Sequence, residues 1–215
     1  KVYKLDEAFK KNFKKYNFHA LHKEILNFCA LDLSAFYFDI RKDTLYCDPK
    51  ESNKRKSTIK FLNIIIEILL KWLAPVLSFT TEEIYSLLKI DEKGSIHLEK
   101  FPSIPPKWNN EELSSKWTEL IRIRDKCNSS IEIKRAQKEI GSSLEANLTI
   151  CLKAKLIALT EGMDFSELCI TSGAKIEKIN EKDSEEILVI TTKAEGQKCP
   201  VCWKISKKTC ERNFS

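Results

Sequence analysis

Three cysteines near the end of the printed sequence have the residue type and spacing for metal chemistry. Cys199 and Cys202 form a Cys-x-x-Cys pair, in which two thiolates grip one side of a tetrahedral zinc ion. Cys210 follows and adds a third thiol. The sequence therefore predicts a zinc site at Cys199, Cys202 and Cys210 with an uncertain fourth ligand. A thioredoxin-like redox pair explains the spacing less well, because no strand–helix frame surrounds it.

The residues around this pair are suited to RNA. Trp203 directly follows Cys202, and Lys198 and Lys204 flank it. Proteins bind unstacked RNA bases on aromatic rings and bind phosphates with lysine or arginine. We therefore predict RNA contacts at Lys198, Trp203 and Lys204. Two roles for Trp203 remain open: it stacks on a base, or it covers the zinc knuckle.

A second basic group flanks a predicted loop nearer the start of the chain. Arg41 and Lys42 precede the loop, and three further cations follow it. If two antiparallel helices meet there, the cations share one region and can contact RNA phosphates. A guanidinium also stacks, so Arg55 is the strongest single candidate. The alternative is that Arg41 pairs with nearby aspartates and the lysines are only solvated. The predicted RNA-contacting residues of this group are Arg41, Lys42, Lys54, Arg55 and Lys56.

The composition fits a folded, modestly basic chain that tolerates an acidic partner such as RNA without requiring one. Hydrophobic residues make up 42% and charged residues 32% of the sequence, which excludes disorder by composition. The net charge is +6, so the chain is modestly basic. The most apolar stretch, residues 61–73, is interrupted by polar side chains and is not expected to span a membrane. Scattered cysteines without a secretion signal favour a reducing, cytoplasmic setting. The sequence opens on Lys1 within a helical pattern, which predicts a piece of a longer protein.

Helical periodicity dominates the first half of the sequence. It predicts helices over residues 5–38, with Asn17 capping the second part, and over residues 52–73, followed by a short helix from a Thr80 cap to Leu88. Residues 43–49 are predicted as a loop because Pro49 disfavours helix before it. The helix over residues 52–73 has one narrow polar stripe, which is typical of the central member of a bundle.

The second half has a mixed pattern. Residues 95–98 alternate like a strand, and prolines then mark a linker. Two helices are predicted, from Ser114 or Ser115 to Cys127 and from residue 131 to 139, the second stopped by Gly141. Strands over residues 148–152, 168–171 and 186–192 and a helix over 154–160 complete a small α+β domain. The predicted division is a helical domain at 1–95, a linker at 96–106, an α+β domain at 107–195 and a knuckle-like tail at 196–215.

Five segments in order resemble the tRNA-binding end of a bacterial-type isoleucyl-tRNA synthetase. The FYFDIRKD…LYCD segment within residues 36–48 and the LAPVLSFTTEEIY segment at 73–85 are similar to the anticodon-binding helical domain of class I synthetases, and specifically to that of the isoleucine enzyme. The KEIGSSLEA segment at 138–146, TSGA at 171–174 and KCPVCW at 198–203 look like the isoleucine enzymes in particular. The resemblance covers essentially the whole chain and weighs against a valine or leucine enzyme.

This resemblance implies a mainly α fold: an antiparallel helical bundle, then a small α+β domain and a short zinc-ribbon-like tail. It implies recognition of the anticodon stem-loop of tRNA-Ile, with the catalytic and editing domains of the parent chain as further partners. The family has a fourth cysteine where this sequence has Asn213. Three thiolates with water, Asp or His could still hold zinc, although more weakly, or the module has lost its metal.

The chemical step of the family lies outside this sequence. Its His-x-Gly-His and Lys-Met-Ser-Lys-Ser motifs are absent, and Met163 is the single methionine. We therefore expect no aminoacylation by this chain alone, with ATP and Mg²⁺ used only by the full-length isoleucine–tRNA ligase. Two other hypotheses remain: a free-standing RNA-binding or regulatory module derived from a synthetase, and a structural domain that only packs on the synthetase body.

Overall fold

The computed structural model describes residues 1–88, 94–179, 185–208, 210 and 212. The chain divides into two compact units. The first contains Lys1–Leu45 and Lys50–Asn109, and the second contains Tyr46–Pro49 and Asn110–Ser215. No described helix is both long enough and apolar enough to cross a membrane. The predicted mainly helical fold with a small mixed sheet and a cysteine cluster at its end is confirmed, while the four-part division of the sequence stays a prediction.

The first unit begins with a nearly continuous run of helix. Asn17 caps the second helix as predicted, since its Oδ1 accepts a hydrogen bond from the Ala20 N–H at 3.3 Å. A π-helical segment, Phe28–Phe38, continues directly into the third helix. The helices are α1 (Val2–Lys14), α2 (Phe18–Asn27) and α3 (Asp39–Cys47).

The loop predicted over residues 43–49 is wrong for its first five residues. Helix α3 continues to Cys47, and only Asp48 and the residues after it leave the helix. Proline restricts the residue directly before it, so Pro49 disfavours helix at Asp48 but not further back.

Helix α4 (Asn53–Leu73) is the central helix of this unit, as its almost entirely apolar second half predicts. Ser52 caps it, with Oγ 3.4 Å from the Arg55 nitrogen. Its side chains enter three separate apolar clusters: Trp72 packs with Phe9, Leu70 with Tyr85, and a third cluster forms around Ile65. Burial on all sides explains why only one narrow polar stripe is tolerated.

Helix α5 (Ser78–Leu87) begins two residues earlier than the predicted cap at Thr80. The carbonyl of Leu77 accepts hydrogen bonds from both the N–H and the hydroxyl of Thr81, at 2.9 Å each. The strand predicted at residues 95–98 is also wrong, because Ile96–Leu98 form a 3₁₀ turn. Glu82 stabilises that turn by accepting hydrogen bonds from the Ser95 hydroxyl and the Ile96 N–H.

The second unit is organised by one long helix, α6 (Glu111–Ala136), where the sequence predicted two. Asn110, rather than Ser114 or Ser115, is the cap, with Oδ1 2.8 Å from the Leu113 nitrogen. The expected break near Ser130 is absent because that side chain reaches across to the Val189 carbonyl and the Thr191 hydroxyl. The helix also ends before Gly141, at a turn in which Lys138 has φ of 59°.

A three-stranded sheet packs against α6. The order is β2-β1-β3, with β1–β2 parallel and β1–β3 antiparallel. Alternate residues of β1 are fully buried, as the apolar alternation predicts. The predicted strand at 168–171 is wrong, because Asp164 caps a helical turn there and the strand begins at Gly173. The elements are β1 (Ala146–Leu152), α7 (Ala154–Thr160), α8 (Phe165–Leu168), β2 (Gly173–Lys178) and β3 (Ile187–Lys193).

Candidate metal centre and nucleic-acid surfaces

The three predicted ligand cysteines lie together on a small hairpin in the second unit. Strands β4 (Gln197–Lys198) and β5 (Ile205–Ser206) pair antiparallel. The turn between them closes through two backbone hydrogen bonds, from Cys199 N–H to the Lys204 carbonyl at 2.9 Å and from Trp203 N–H to the Cys199 carbonyl at 3.0 Å. The sulfur atoms of Cys199 and Cys202 in this turn and of Cys210, which follows β5, lie within 4.8 Å of one another.

The sulfur geometry fits a tetrahedral metal ion. The Sγ atoms of Cys202 and Cys210 are 3.7 Å apart. Two thiolates bound at ~2.3 Å to one tetrahedral zinc ion are separated by about 3.8 Å. The three-cysteine cluster is therefore able to hold a metal ion. Asn213, at the expected position of a fourth ligand, lies outside the described residues.

The thiols differ in acidity. Backbone N–H groups of Cys202 and Val201 donate to the Cys199 sulfur and lower its pKa to about 7. Burial raises the pKa of the Cys202 thiol to about 12. A bound cation would reverse the second effect, because a metal-coordinated thiol is deprotonated.

Contacts of Ser172 and the backbone of Gly196 stabilise this hairpin. The Ser172 hydroxyl donates to the Leu144 carbonyl and accepts the Ile205 N–H at 2.6 Å. Gly196 has φ of 131°, and a Cβ there would lie 2.3 Å from the Ser206 backbone, so only glycine fits. No role was predicted for Ser172 from the sequence. Its position in the TSGA segment was the available signal.

Two further contacts join the segment Tyr46–Pro49 to the tail within the second unit. The Cys47 thiol lies 3.9 Å from the Val201 carbonyl, a weak hydrogen bond. The Arg212 guanidinium is 3.4 Å from the Asp48 carboxylate. These contacts were not predicted, because residues more than 150 positions apart give no local pattern.

The tail also presents a basic cleft of about 740 Å³ that contains the cysteines. The Trp203 ring is 59% exposed, and the Lys198 ammonium lies 5.5 Å from its centroid. Lys207 is paired with Glu195 at 2.7 Å. The cationic residues that line the cleft are Lys198, Lys204, Lys207, Lys208 and Arg212. The structure thus brings Lys198, Trp203 and Lys204 together with the cysteines.

The other predicted RNA-contacting residues lie on α3 and α4. Arg41 and Lys42 belong to the first turn of α3 rather than to a helix end, because α3 continues to Cys47. The Arg41 guanidinium lies 5.9 Å from the centre of the Tyr37 ring, and Lys42 pairs with Asp39 at 2.9 Å.

The remaining three cations stand at the predicted place, in the first turn of α4. Lys56 pairs with Glu51 at 2.6 Å. No acidic residue occupies that turn, and Lys54, Arg55 and Lys56 fill it instead. Positive charge at a helix N-terminus opposes the helix dipole, so this arrangement favours an anion from outside the helix.

Known proteins are similar to this chain in sequence. A family described as the anticodon-binding domain of tRNA ligase matches residues 1–150. The chain is 59% identical to an isoleucine–tRNA ligase of Pelagibacter ubique over 213 residues, which are 99% of this chain and 23% of that protein. It is 36% identical to the isoleucine–tRNA ligase of Agrobacterium fabrum over 210 residues, 94% of this chain and 22% of the relative. The chain therefore spans less than a quarter of the length of these relatives.

Proposed function

The chain belongs to the anticodon-binding domains of tRNA ligases and is homologous to the C-terminal part of isoleucine–tRNA ligases, and we propose that it binds the anticodon stem-loop of tRNA-Ile. The catalytic and editing domains of the parent enzyme would be its partners. The catalytic domain would attach isoleucine to the 3′ end with ATP and Mg²⁺ in the cytoplasm. This chain contributes binding energy and no chemical step.

The similarity to isoleucine–tRNA ligases over 99% of the chain is the observation that carries this proposal. The family match covers the helical unit and α6 and ends within β1, at residue 150. The identity to the Pelagibacter protein extends beyond it through the sheet and the cysteine hairpin. A free-standing RNA-binding module remains the alternative, and a parent gene with an upstream catalytic domain would reject it.

The first proposed contact surface is formed by Arg41, Lys42, Lys54, Arg55 and Lys56. The cations in the first turn of α4 support it, because they stand where a helix favours anions. Arg55 would contact a phosphate or stack on a base, since a guanidinium does both. Lys42 and Lys56 would exchange their partners Asp39 and Glu51 for RNA phosphates.

The second proposed surface is the tail, at Lys198, Trp203 and Lys204. The exposure of the Trp203 ring supports base stacking, because a ring that only covered the knuckle would be buried. Lys198 beside the ring would neutralise a phosphate of the stacked nucleotide.

The proposed metal of the tail is zinc, held by Cys199, Cys202 and Cys210. The sulfur separation of 3.7 Å supports it. A bound zinc ion would act structurally, by fixing the turn that presents Trp203.

The experiment that tests the proposed function compares two RNAs for binding to this chain. One is a tRNA-Ile transcript, and the other is the same tRNA without its anticodon arm. The proposal predicts that removal of the arm abolishes most of the affinity. Equal binding of both RNAs would contradict it. Arg55→Lys serves as an internal probe, because it keeps the charge and loses the planar guanidinium.

A further inference from the structure

The turn that ends α1 contains an unexpected residue. Asn17 N–H donates to the Asn12 carbonyl at 2.9 Å, and Tyr16 N–H donates to the Phe13 carbonyl at 3.0 Å. These are the two hydrogen bonds of a Schellman cap, whose left-handed position is usually glycine. Here that position is Tyr16, with φ of 54°. A side chain with a Cβ is strained in this conformation, so helix termination does not explain the choice of tyrosine.

The Tyr16 ring is exposed but firmly supported. It is 81% exposed. Its ring centroid lies 6.2 Å from that of Phe18, which lies 5.9 Å from that of Phe13. The series continues through Phe9 to the fully buried Trp72, in steps of 5.7 Å. An aromatic ladder therefore connects the core of the helical unit to an open ring at its surface, and such a ring can stack on a flat ligand with little further loss of freedom.

Three lysines surround this ring along the chain. Lys11, Lys14 and Lys15 are exposed, and their spacing of three and four residues places them on one face of α1. None of them forms an ion pair with an acid among the described residues, whereas Lys10 binds Asp6 at 2.6 Å. Lysines at the end of a helix complement its dipole, but that effect needs neither three uncompensated charges nor an exposed ring.

Lys11, Lys14 and Lys15 differ from the lysines of the first proposed surface in having no acidic partner among the described residues. On α3 and α4, Lys42 and Lys56 already hold acidic partners within the chain. At the end of α1, the positive charge of Lys11, Lys14 and Lys15 is available to an external anion. An acidic peptide would use the lysines alone. Single-stranded nucleic acid uses cations for its phosphates together with an aromatic face for its bases.

We propose that Lys11, Lys14, Lys15 and Tyr16 form an additional RNA contact, here called the α1 corner, in which the lysines bind phosphates and the Tyr16 ring stacks on an unpaired base. The inference deepens the proposed function, because it rests on RNA as the partner and adds a contact outside the two surfaces already described.

The sharpest test is Tyr16→Gly. Glycine removes the ring, keeps the Schellman turn and relieves the left-handed strain, so the unfolding temperature should stay at or above that of the parent chain. Loss of one stacked base should weaken binding about 5- to 150-fold. Phe79→Ala is the matched control, because Phe79 is 93% exposed in the same unit and belongs to no proposed surface. It should bind as the parent does.

A second variant tests the charges. Lys11, Lys14 and Lys15 are replaced together by glutamine, and affinity is measured at several salt concentrations. Removal of three phosphate contacts should reduce the slope of log affinity against log salt by about 2. Replacement of three exposed lysines of the second unit should leave it nearly unchanged. These control residues are Lys126, Lys155 and Lys193.

Both variants are titrated with a tRNA-Ile transcript and with a short oligouridine. If the parent shows no preference for tRNA-Ile but Tyr16→Gly weakens oligouridine binding, the α1 corner stands while the proposed function fails. If the parent prefers tRNA-Ile and neither variant differs from it on either RNA, the α1 corner is wrong and the proposed function stands. If the parent binds neither RNA, both are overturned.

Discussion

The indole N–H of Trp72 donates a hydrogen bond of 3.2 Å to the carboxylate of Asp6, and both side chains are almost completely buried. The second carboxylate oxygen of Asp6 lies 2.6 Å from the Lys10 ammonium. A buried acid thus joins α1 to the central helix α4: one oxygen accepts the indole hydrogen bond, and the other is ion-paired with Lys10 but accepts no hydrogen bond. Removal of either partner destabilises the fold, because the remaining buried polar group then has its full desolvation cost with no hydrogen bond or ion pair to offset it.

We predict that Asp6→Ala lowers the free energy of unfolding by about 1–3 kcal/mol, because the Trp72 N–H loses its acceptor. Asp6→Asn keeps an acceptor oxygen and should lose less. Chemical denaturation followed by Trp fluorescence measures both. Equal stability of Asp6→Ala and the parent chain would show that the hydrogen bond does not hold α1 to α4.

A pH-dependent contribution is expected from Asp164, the cap of α8. Burial alone would raise the pKa of this carboxyl. Hydrogen bonds from the Ser166 hydroxyl and from the N–H groups of Glu167 and Ser166 outweigh burial and hold the pKa below the usual 3.8. A depressed pKa means that the stabilisation is fully present above the unfolded-state value and is lost as the pH falls through the folded-state value.

Asp164→Ala should therefore lower stability by about 0.5–2 kcal/mol at neutral pH, and the difference from the parent should shrink when the pH is brought below 3.8. Unfolding curves at both pH values measure this. A difference that stays constant down to the lowest pH would contradict the assignment of the effect to the charged carboxylate.

Gly196 and Gly162 provide a matched pair of glycine substitutions. Both have positive φ, at 131° and 75°. A Cβ at Gly196 would meet the Ser206 backbone at 2.3 Å, whereas a Cβ at Gly162 would meet nothing within 4 Å. Gly162→Ala should lose only about 1 kcal/mol of stability through backbone strain. Gly196→Ala should in addition separate β4 from β5 and weaken metal binding, as measured by competition with a chelator. Similar metal affinities of the two variants would show that hairpin closure does not shape the site.

The proposed zinc site leads to a gain-of-function prediction. Asn213→Cys restores a fourth thiol at the position where the resembling family has cysteine, so it should tighten zinc binding, and Cys210→Ser should weaken it. Cobalt substitution measures the number of bound thiolates, because the thiolate-to-cobalt absorption becomes more intense with each bound sulfur. The parent should give the signal of three thiolates and Asn213→Cys that of four. Identical spectra for the two chains would mean that the residue at position 213 does not reach the metal.

The sequence predicted those elements whose signals are local. Asn17 caps α2 as predicted, because it stands directly before an apolar helical period, and α4 begins within one residue of its predicted start. Thr80 and Ser114 failed because other residues could begin the same helices. Leu77 precedes α5 without a side-chain cap, and Asn110 caps α6 through the Leu113 N–H. A local pattern does not rank such neighbouring candidates.

The residues of the candidate sites also divide into those with a local signal in the sequence and those without one. Cys199, Cys202 and Cys210 were all predicted from the sequence, and the structure places their sulfur atoms within 4.8 Å of one another. The supports at Ser172 and Cys47 could not be found, since they act across long separations in sequence. Tyr16 was missed as a site because only the backbone conformation reveals that a tyrosine occupies a glycine position.

Recognition of the anticodon stem-loop of tRNA-Ile is the function that we propose for this chain. It is tested by titrating the chain with tRNA-Ile and with the same tRNA carrying a different anticodon, each at low and at physiological salt. Phosphate contacts are lost with rising salt, whereas base stacking and base-edge contacts discriminate sequence. We predict a preference for the native anticodon that persists at both salt concentrations and shrinks in Trp203→Ala. Equal, strongly salt-dependent binding of both tRNAs would contradict it.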